Sequence, residues 1–339
     1  MNQFLHWFFS PVIPLARKIL QVERRRNKRV FAYDEKCFWL SSGKRSDSLD
    51  ALEARIIMHY HVLEKGLTMP NRRLGFGMTI IASLIDLIEE FEHKYGMNSR
   101  QVAYAVGVVK EYEDLHRSSG YDCTQNSAFW MKLHAFTGKY TKIPNSKQRH
   151  YTRSQFYAAV NEPFGILSAS RHCVRNYSAK EVSRRKIKDA VAIALDSPSA
   201  CNRNHARVHC VTDKSLVRTI LDLQGGTRGF GHLADKVLIV TTKTEYLISE
   251  WERKDDMVNG GMFLMSLCLA LYCQEVAYCI LTWAVDHGKD RRLRNLINLP
   301  DAENVVALLC VGEAPDEFDV AASPRRSVDE VLAWHGGER

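Results

Sequence analysis

Residue types that bind phosphate groups are concentrated in residues 171–177, whose sequence is RHCVRNY. Arg171 and Arg175 stand four positions apart, and each guanidinium group can hold a phosphate through two parallel hydrogen bonds. A donor-rich turn at 198–202 and the pair Arg325-Arg326 follow further along the chain. Together, these residues are suited to one ligand that carries a multiply charged phosphate.

The second half of the chain alternates between β-prone runs and helical stretches, which predicts the elements that hold these residues. The β-prone runs cover 206–212, 236–242, 278–285 and 304–311. Helical periodicity covers about 183–196, 214–223, 257–274 and 288–298. Strands separated by helices predict a sheet with helices packed on it, in the α/β or α+β class.

Residues 1–135 are predicted to be mainly α-helical. One helical face is marked by apolar residues at steps of three and four, namely Leu49, Leu52, Ile56, Tyr60, Leu63 and Leu67. Further helices are predicted over about 79–93 and 99–116. Residues 137–153 are polar and basic, without a sustained period. We therefore predict a helical region over 1–150 and a second domain over 151–339.

The positive charge of the chain lies in its N-terminal part. Residues 1–150 carry 23 Lys/Arg against 15 Asp/Glu, and residues 151–339 carry 24 of each, for a net charge of +8. Seven cations lie between Arg17 and Arg29, after an apolar run at 4–9. Residues 1–29 therefore suit an anionic membrane surface or a helix packed on the protein. Nucleic acid is not expected, because no nucleic-acid module appears.

Three motifs of the second half occur in an order typical of one protein family. The first is Arg171-His172-Cys173-Val174-Arg175, the second is the turn from Pro198 to Asn204, and the third is Arg325-Arg326. Residues from about 163 to 335 resemble the nitroreductase family of FMN-dependent oxidoreductases. The resemblance implies an α+β fold with a mixed sheet flanked by helices, preceded by the helical region.

The resemblance also implies which residues hold FMN. In the first motif these are Arg171, His172, Cys173 and Arg175, with Cys173 at the position of the usual Ser. In the second they are Pro198, Ser199, Asn202 and Asn204, with Asn204 at the position of the usual Gln. Thr282 and Trp283 match the strand whose backbone faces the flavin, and Arg325 and Arg326 match the pair on the phosphate.

By the same resemblance, the protein is an FMN-dependent oxidoreductase that passes electrons between NAD(P)H, a transient donor, and a small-molecule substrate. Residues 260–261 and the apolar helix after them imply a homodimer. No side chain is predicted as a general acid or base, because the flavin does the chemistry. The alternative is a non-catalytic binding or scaffold protein of the same fold, docked at a membrane-associated pathway.

Other motifs leave weaker interpretations open. The nine cysteines include no CxxC pair, so neither disulfides nor a structural zinc site is expected. His61 and Glu64 lie one helical turn apart and could share a metal, although His59 points away. Residues 65–67 and 71–73 could form a lid or substrate pocket over the second domain, or simply end a packed helix.

Two further features bear on location. No secretory signal is evident, so the protein is predicted to be cytoplasmic, with a possible peripheral contact at the inner membrane face. The apolar stretch at 261–285 is interrupted by Gln274 and Glu275. A buried helix followed by a buried strand is therefore predicted there, rather than a membrane span.

Overall fold

The computed structural model describes residues 12–42 and 48–336. The apolar run at 4–9, on which the predicted surface contact of residues 1–29 partly depends, lies outside the described residues. The N-terminal helices are α1 (Val12–Ser41), α2 (Leu49–Leu67), α3 (Met78–Tyr95), α4 (Arg100–Ser118) and α5 (Ser127–Lys139). The later helices are α6 (Arg153–Tyr157), α7 (Phe164–Ser170), α8 (Arg184–Ala194), α9 (Lys214–Gln224), α10 (Asp255–Cys273) and α11 (His287–Ile297). The strands are β1 (Arg149–Thr152), β2 (Ala206–Val211), β3 (Lys236–Lys243), β4 (Ala277–Thr282), β5 (Glu303–Gly312) and β6 (Glu317–Val320).

Helices α2 to α5 surround one apolar core. Helix α2 begins where the Ser48 hydroxyl accepts a hydrogen bond from the Ala51 backbone N–H at 3.3 Å, which satisfies a donor that the helix leaves unpaired. Its apolar stripe, with Leu52, Ile56 and Leu63 fully buried, faces α3 and α4. The mainly helical character predicted for this region is confirmed.

The second core lies around a four-stranded sheet in the order β2-β3-β5-β4. Every ladder in this sheet is antiparallel, including Val240 opposite Ala307 and Ile280 opposite Leu309. The α+β class is confirmed. Among the described residues this sheet is antiparallel throughout, where a mixed sheet was expected: the inner strands β3 and β5 run opposite to both neighbours, and the edge strands β2 and β4 run opposite to their single partner.

Helix α10 packs closely on this sheet. A Cβ atom at Gly260 would come within 2.5 Å of the Val306 side chain, so only glycine permits the close approach. By length and composition alone, Glu250–Cys273 is apolar enough to cross a membrane, and half of that stretch is buried in the protein. The helix and β4, whose residues are mostly buried, agree with the predicted buried helix and strand.

A short ladder joins the segment after α5 to the C-terminal part. Strands β1 and β6 pair antiparallel, with Tyr151 opposite Phe318. At the outer end, His150 Nδ1 lies 2.8 Å from an Asp319 oxygen, and Arg72 donates to the other at 3.3 Å. The ladder thereby places the loop after β6 beside α2.

Candidate active site

A cavity of about 370 Å³ lies where the N-terminal helices meet the sheet domain. It is lined by α2, residues 171–175, Ile280 of β4 and the loop at 321–325. We call it the arginine cavity, since Arg171, Arg175 and Arg325 all line it. Its volume lies in the range of small-molecule sites.

Two of its guanidinium groups are incompletely paired. Arg175 is only 7% exposed, and it has no ion-pair partner among the residues that the structure describes. Arg171 donates from Nη1 to the Tyr278 hydroxyl at 3.3 Å, while its buried Nε has no hydrogen-bond partner. Burial, followed by the Arg175 charge, lowers the pKa of the Lys65 amine. Several cations therefore lie in or near the cavity wall, where an anion would stabilise them.

His172 remains neutral within this group of cations. Burial, and then the charges of Arg149, Arg171 and Arg325, lower its pKa to about 4. Arg149 Nη1 lies 3.1 Å from His172 Nε2, which accepts the hydrogen bond when the ring is neutral. The imidazole is thus a polar wall of the cavity that adds no charge.

Cys173, which replaces the family's usual Ser, presents a thiol to the same cavity. A hydrogen bond with Cys279 and burial hold the pKa of Cys173 well above its usual value. A thiol that stays protonated is a poor nucleophile. Cys173 therefore acts here as an apolar side chain with a weak donor.

Helix α2 contributes Tyr60, His61 and Glu64 to the cavity wall. Glu64 is fully buried, and its Oε1 accepts from the Tyr104 hydroxyl at 2.6 Å and from the Ser323 backbone N–H at 2.9 Å. Burial would raise the pKa of Glu64, but hydrogen bonds from His61, Tyr104 and Ser323 bring it below its usual value. The carboxylate is therefore satisfied within the protein.

The loop after β6 separates the two arginines that the sequence places together. Ser323 has a φ of +43°, and its carbonyl accepts from Arg325 Nη1 at 2.8 Å. Arg325 lines the cavity, whereas Arg326 donates to Glu53 of α2 at 2.5 Å and does not line it. The adjacent arginines thus have different surroundings, one at the cavity and one in an ion pair.

The turn predicted from Pro198 to Asn204 lines a different and much smaller cavity, of about 20 Å³. Its polar groups bond to one another: Asn204 donates its backbone N–H to the Ser199 hydroxyl at 2.9 Å and its side-chain amide to the Asn202 carbonyl at 2.9 Å. Ala200 is tied to α10 by a hydrogen bond to Asn259 at 2.9 Å. A single chain does not bring this turn to the arginine cavity.

Thr282 and Trp283, predicted near the flavin, also lie outside the lining of the arginine cavity. The Thr282 carbonyl accepts from Gln224 Nε2 at 3.0 Å, and Trp283 Nε1 donates to Asp290 at 2.8 Å. Ile280, two residues earlier on β4, does line it. The strand reaches the cavity, but through a different residue.

Sequence reasoning assigns no ligand contact to Tyr60, His61 or Glu64 of α2, although it considers the end of this helix, residues 65–67, as part of a possible lid or substrate pocket. The available signal was the spacing of His61 and Glu64, which was interpreted as a possible metal pair. In the described ranges, 12–42 and 48–336, no group of three or more His, Cys, Asp and Glu side chains is placed to hold a metal. The pair instead lines the same cavity as Arg171, Arg175 and Arg325.

A comparison with models of known protein families matches the segment that contains the first motif, residues 171–175. Residues 169–227 match the model of the Nitroreductase family. This match confirms the nitroreductase resemblance over the segment that carries Arg171, Arg175 and the turn at 198–204. Proteins of the nitroreductase family are flavin-dependent oxidoreductases. No curated protein matches the chain.

Solved structures of the nitroreductase family are similar to about half of the chain. A nitroreductase family protein from Streptococcus pneumoniae is 20% identical, with 51% of this chain and 100% of that chain covered and a TM-score of 0.44. A protein from Staphylococcus epidermidis, named as a candidate NAD(P)H:FMN oxidoreductase, is 14% identical. In that case 51% of this chain and 96% of that chain are covered, with a TM-score of 0.45.

Proposed function

We propose that this protein is an FMN-dependent oxidoreductase that passes electrons between NAD(P)H and a small-molecule substrate. The observation that supports it most is the buried Arg175, without an ion-pair partner in the described part of the chain, beside the unpaired Nε of Arg171. A buried charge without a partner is costly, and a phosphate dianion would offset that cost. The family match over 169–227 supports the same ligand.

The residues of the cavity fit the parts of FMN. Arg171, Arg175 and Arg325 would hold the phosphate through charge-assisted hydrogen bonds. His172, neutral and polar, suits the ribityl chain or the edge of the flavin. Bound FMN would supply the redox chemistry, and the protein would bind and orient it while excluding water.

The proposed enzyme is a homodimer in which the second copy supplies the turn at 198–204. Exposed apolar residues on α10, including Met257, Val258 and Met262, support an interface on that side of the molecule. The turn is tied to the same helix through Asn259. Ser199, Asn202 and Asn204 of one protomer would then face the ligand held by the arginines of the other.

The test begins with purified protein and its absorbance. We expect a flavin band that bleaches when NADPH or NADH is added. FMN should bind more tightly than riboflavin, which lacks the phosphate, by roughly 10- to 100-fold, the scale of one or two charge-assisted contacts. Colourless protein that takes up no added FMN, or equal affinity for the two flavins, would contradict the proposal.

A second candidate function follows from α1. Within residues 1–29, Val22, Arg24 and Arg29 are exposed on this helix, and the exposed Phe31 and Phe38 follow on the same helix beyond that segment. Such a segment suits the surface of an anionic membrane. We propose a cytoplasmic protein whose residues 1–29 make a peripheral membrane contact. If the protein binds no flavin, the membrane contact would instead support the role of a non-catalytic scaffold protein docked at a membrane-associated pathway.

Vesicle sedimentation separates the two functions. Full-length protein should sediment with vesicles that contain phosphatidylserine and remain in solution with neutral phosphatidylcholine vesicles. Deletion of residues 1–29 should abolish sedimentation and leave the flavin band unchanged. Unchanged sedimentation after the deletion would exclude the anchor.

A further inference from the structure

His61 and Glu64 form a hydrogen-bonded pair at the wall of the arginine cavity. His61 Nδ1 lies 2.9 Å from Glu64 Oε2, one helical turn along α2. The His61 side chain is 38% exposed and lines the cavity, whereas the Glu64 side chain is 0% exposed. An imidazole at a cavity, backed by a buried carboxylate, is an arrangement that orients histidine for proton transfer.

The surroundings of Glu64 determine which nitrogen of His61 carries the proton. An ionised carboxylate accepts hydrogen bonds and donates none, and the pKa of Glu64 is lowered by its partners despite burial. Nδ1 of His61 must therefore be the donor. In the neutral ring, the lone pair then sits on Nε2, which has no hydrogen-bond partner among the residues that the structure describes.

We propose that His61 is the proton acceptor for the ligand bound in the arginine cavity and that Glu64 is its positioning residue. The Nε2 lone pair takes a proton from an O–H or N–H group of the ligand, so that an N–H bond forms and the ligand's bond breaks. The electron pair stays on the ligand atom, and Glu64 stabilises the imidazolium. In the reverse direction the imidazolium returns the proton.

The other histidines near this site are less suited to the role. Nε2 of His172 already accepts from Arg149, and neighbouring cations oppose its protonation. His59 bonds through Nδ1 to the Arg55 carbonyl at 2.7 Å and does not line the cavity. The cavity therefore suits a ligand whose anionic part meets the arginines, as the FMN phosphate would, and whose titratable O–H or N–H lies near His61.

The tautomer of His61 can be measured without flavin, by 15N NMR of FMN-free protein labelled at histidine. His61, assigned with His61→Gln, should show a protonated Nδ1 and an unprotonated Nε2. In Glu64→Gln, the amide oxygen remains the acceptor for Tyr104 and the Ser323 N–H, so the amide NH₂ faces His61. The His61 proton should then move to Nε2.

Glu53→Gln is the matched control, because Glu53 is also a buried carboxylate of α2 but has other partners, Ser99 and Arg326. It should leave the His61 tautomer unchanged. A wild-type ring protonated at Nε2, or an unchanged tautomer in Glu64→Gln, would overturn the proposal.

Turnover tests the proton transfer itself and depends on the proposed function. In NADPH oxidation with menadione as acceptor, His61→Gln should lower kcat by on the order of a hundredfold at saturating FMN, and a separate FMN titration measures any change in FMN affinity. His59→Gln should match the wild type, and equal turnover by the two variants would overturn the role of His61. If the wild type binds no FMN, the proposed function fails, and the tautomer measurement still decides the positioning by Glu64.

Discussion

The resemblance assigns the arginine cavity and the turn at 198–204 to one FMN site, but in the structure the polar groups of the two regions are paired to different extents. At the cavity, Arg175 and the Nε of Arg171 are buried and incompletely paired. In the turn, Ser199, Asn202 and Asn204 satisfy one another around a cavity of about 20 Å³. The cavity therefore has buried donors that are not used within the chain, whereas several polar groups of the turn already pair with one another.

This difference indicates which of the two regions can bind a ligand without a second protomer. Unpaired guanidinium groups need a counter-charge whether or not a second protomer is present. Within one chain the turn lines a different cavity from the arginines, so it can contact the same ligand only if that ligand is held by a second protomer. We therefore expect the cavity to govern phosphate affinity and the turn to act across a dimer interface.

The largest effect is expected when a cavity arginine loses its charge. Arg175→Met keeps an apolar stem of similar length, so the packing is preserved while the phosphate contact is lost. FMN affinity should fall by roughly 10- to 100-fold, which corresponds to about 1–3 kcal/mol. Isothermal titration with FMN and riboflavin measures this change.

Riboflavin is the internal control for that variant. Because it has no phosphate, its affinity should differ little between the wild type and Arg175→Met. If both flavins weaken equally, Arg175 holds the structure rather than the phosphate, and the two regions no longer differ in the way described.

A co-assembly experiment tests whether the turn acts in the second protomer. Arg175→Met and Asn202→Ala should each bind FMN poorly as homodimers. In a random mixture, half of the dimers are mixed, and each mixed dimer holds one site with neither change. About a quarter of all sites should then regain wild-type affinity.

The alternative outcome is equally clear. If the turn and the arginines act within one chain, every site in the mixture carries one of the two changes, and no tight sites appear. Mixing each variant with itself after the same dissociation step is the control for refolding losses.

The fold was predictable from the sequence to the extent that local pattern controls it. The stripe from Leu52 to Leu67 and the strand at 236–243 are long and strongly apolar, so their types and bounds agree closely with expectation. Strands β1 and β6 have only four residues each. Their pairing depends on a contact between segments about half of the chain apart, which no local period encodes.

The site was predictable only in part, because sequence order does not report which elements meet. The 171–175 motif was identified from residue type, and Arg325 from its place in the family order. The approach of α2 depends on the β1–β6 ladder and on the Ser323 contact to Glu64. Family order also could not distinguish Arg325 from Arg326, whose difference comes from the position of Glu53.

A smaller effect is expected from the pH dependence of the cavity wall. His172 has a pKa of about 4 in the folded protein, below its usual value of about 6.5, so the unfolded chain binds the proton first. The stability contributed by the neutral ring is therefore complete above about pH 6.5 and is lost as pH falls toward 4. We expect a slope of at most about 1 kcal/mol per pH unit in urea unfolding.

His172→Asn, which cannot titrate, should flatten that slope. A wild-type protein whose unfolding free energy is constant between pH 6.5 and 4 would show that His172 is not held neutral.

The smallest effect on flavin binding is expected at Arg326. Its guanidinium pairs with the buried carboxylate of Glu53, which the Ser99 hydroxyl also contacts at 2.5 Å. Arg326→Ala should therefore lower the free energy of unfolding by about 1 kcal/mol, and FMN affinity should change less than in Arg325→Ala. Urea unfolding and FMN titration of both variants measure the two quantities. An equal loss of FMN affinity in the two variants would mean that Arg326 leaves Glu53 to contact the phosphate. The C-terminal loop would then rearrange when the ligand binds, and the division between a ligand-binding Arg325 and a structural Arg326 would fail.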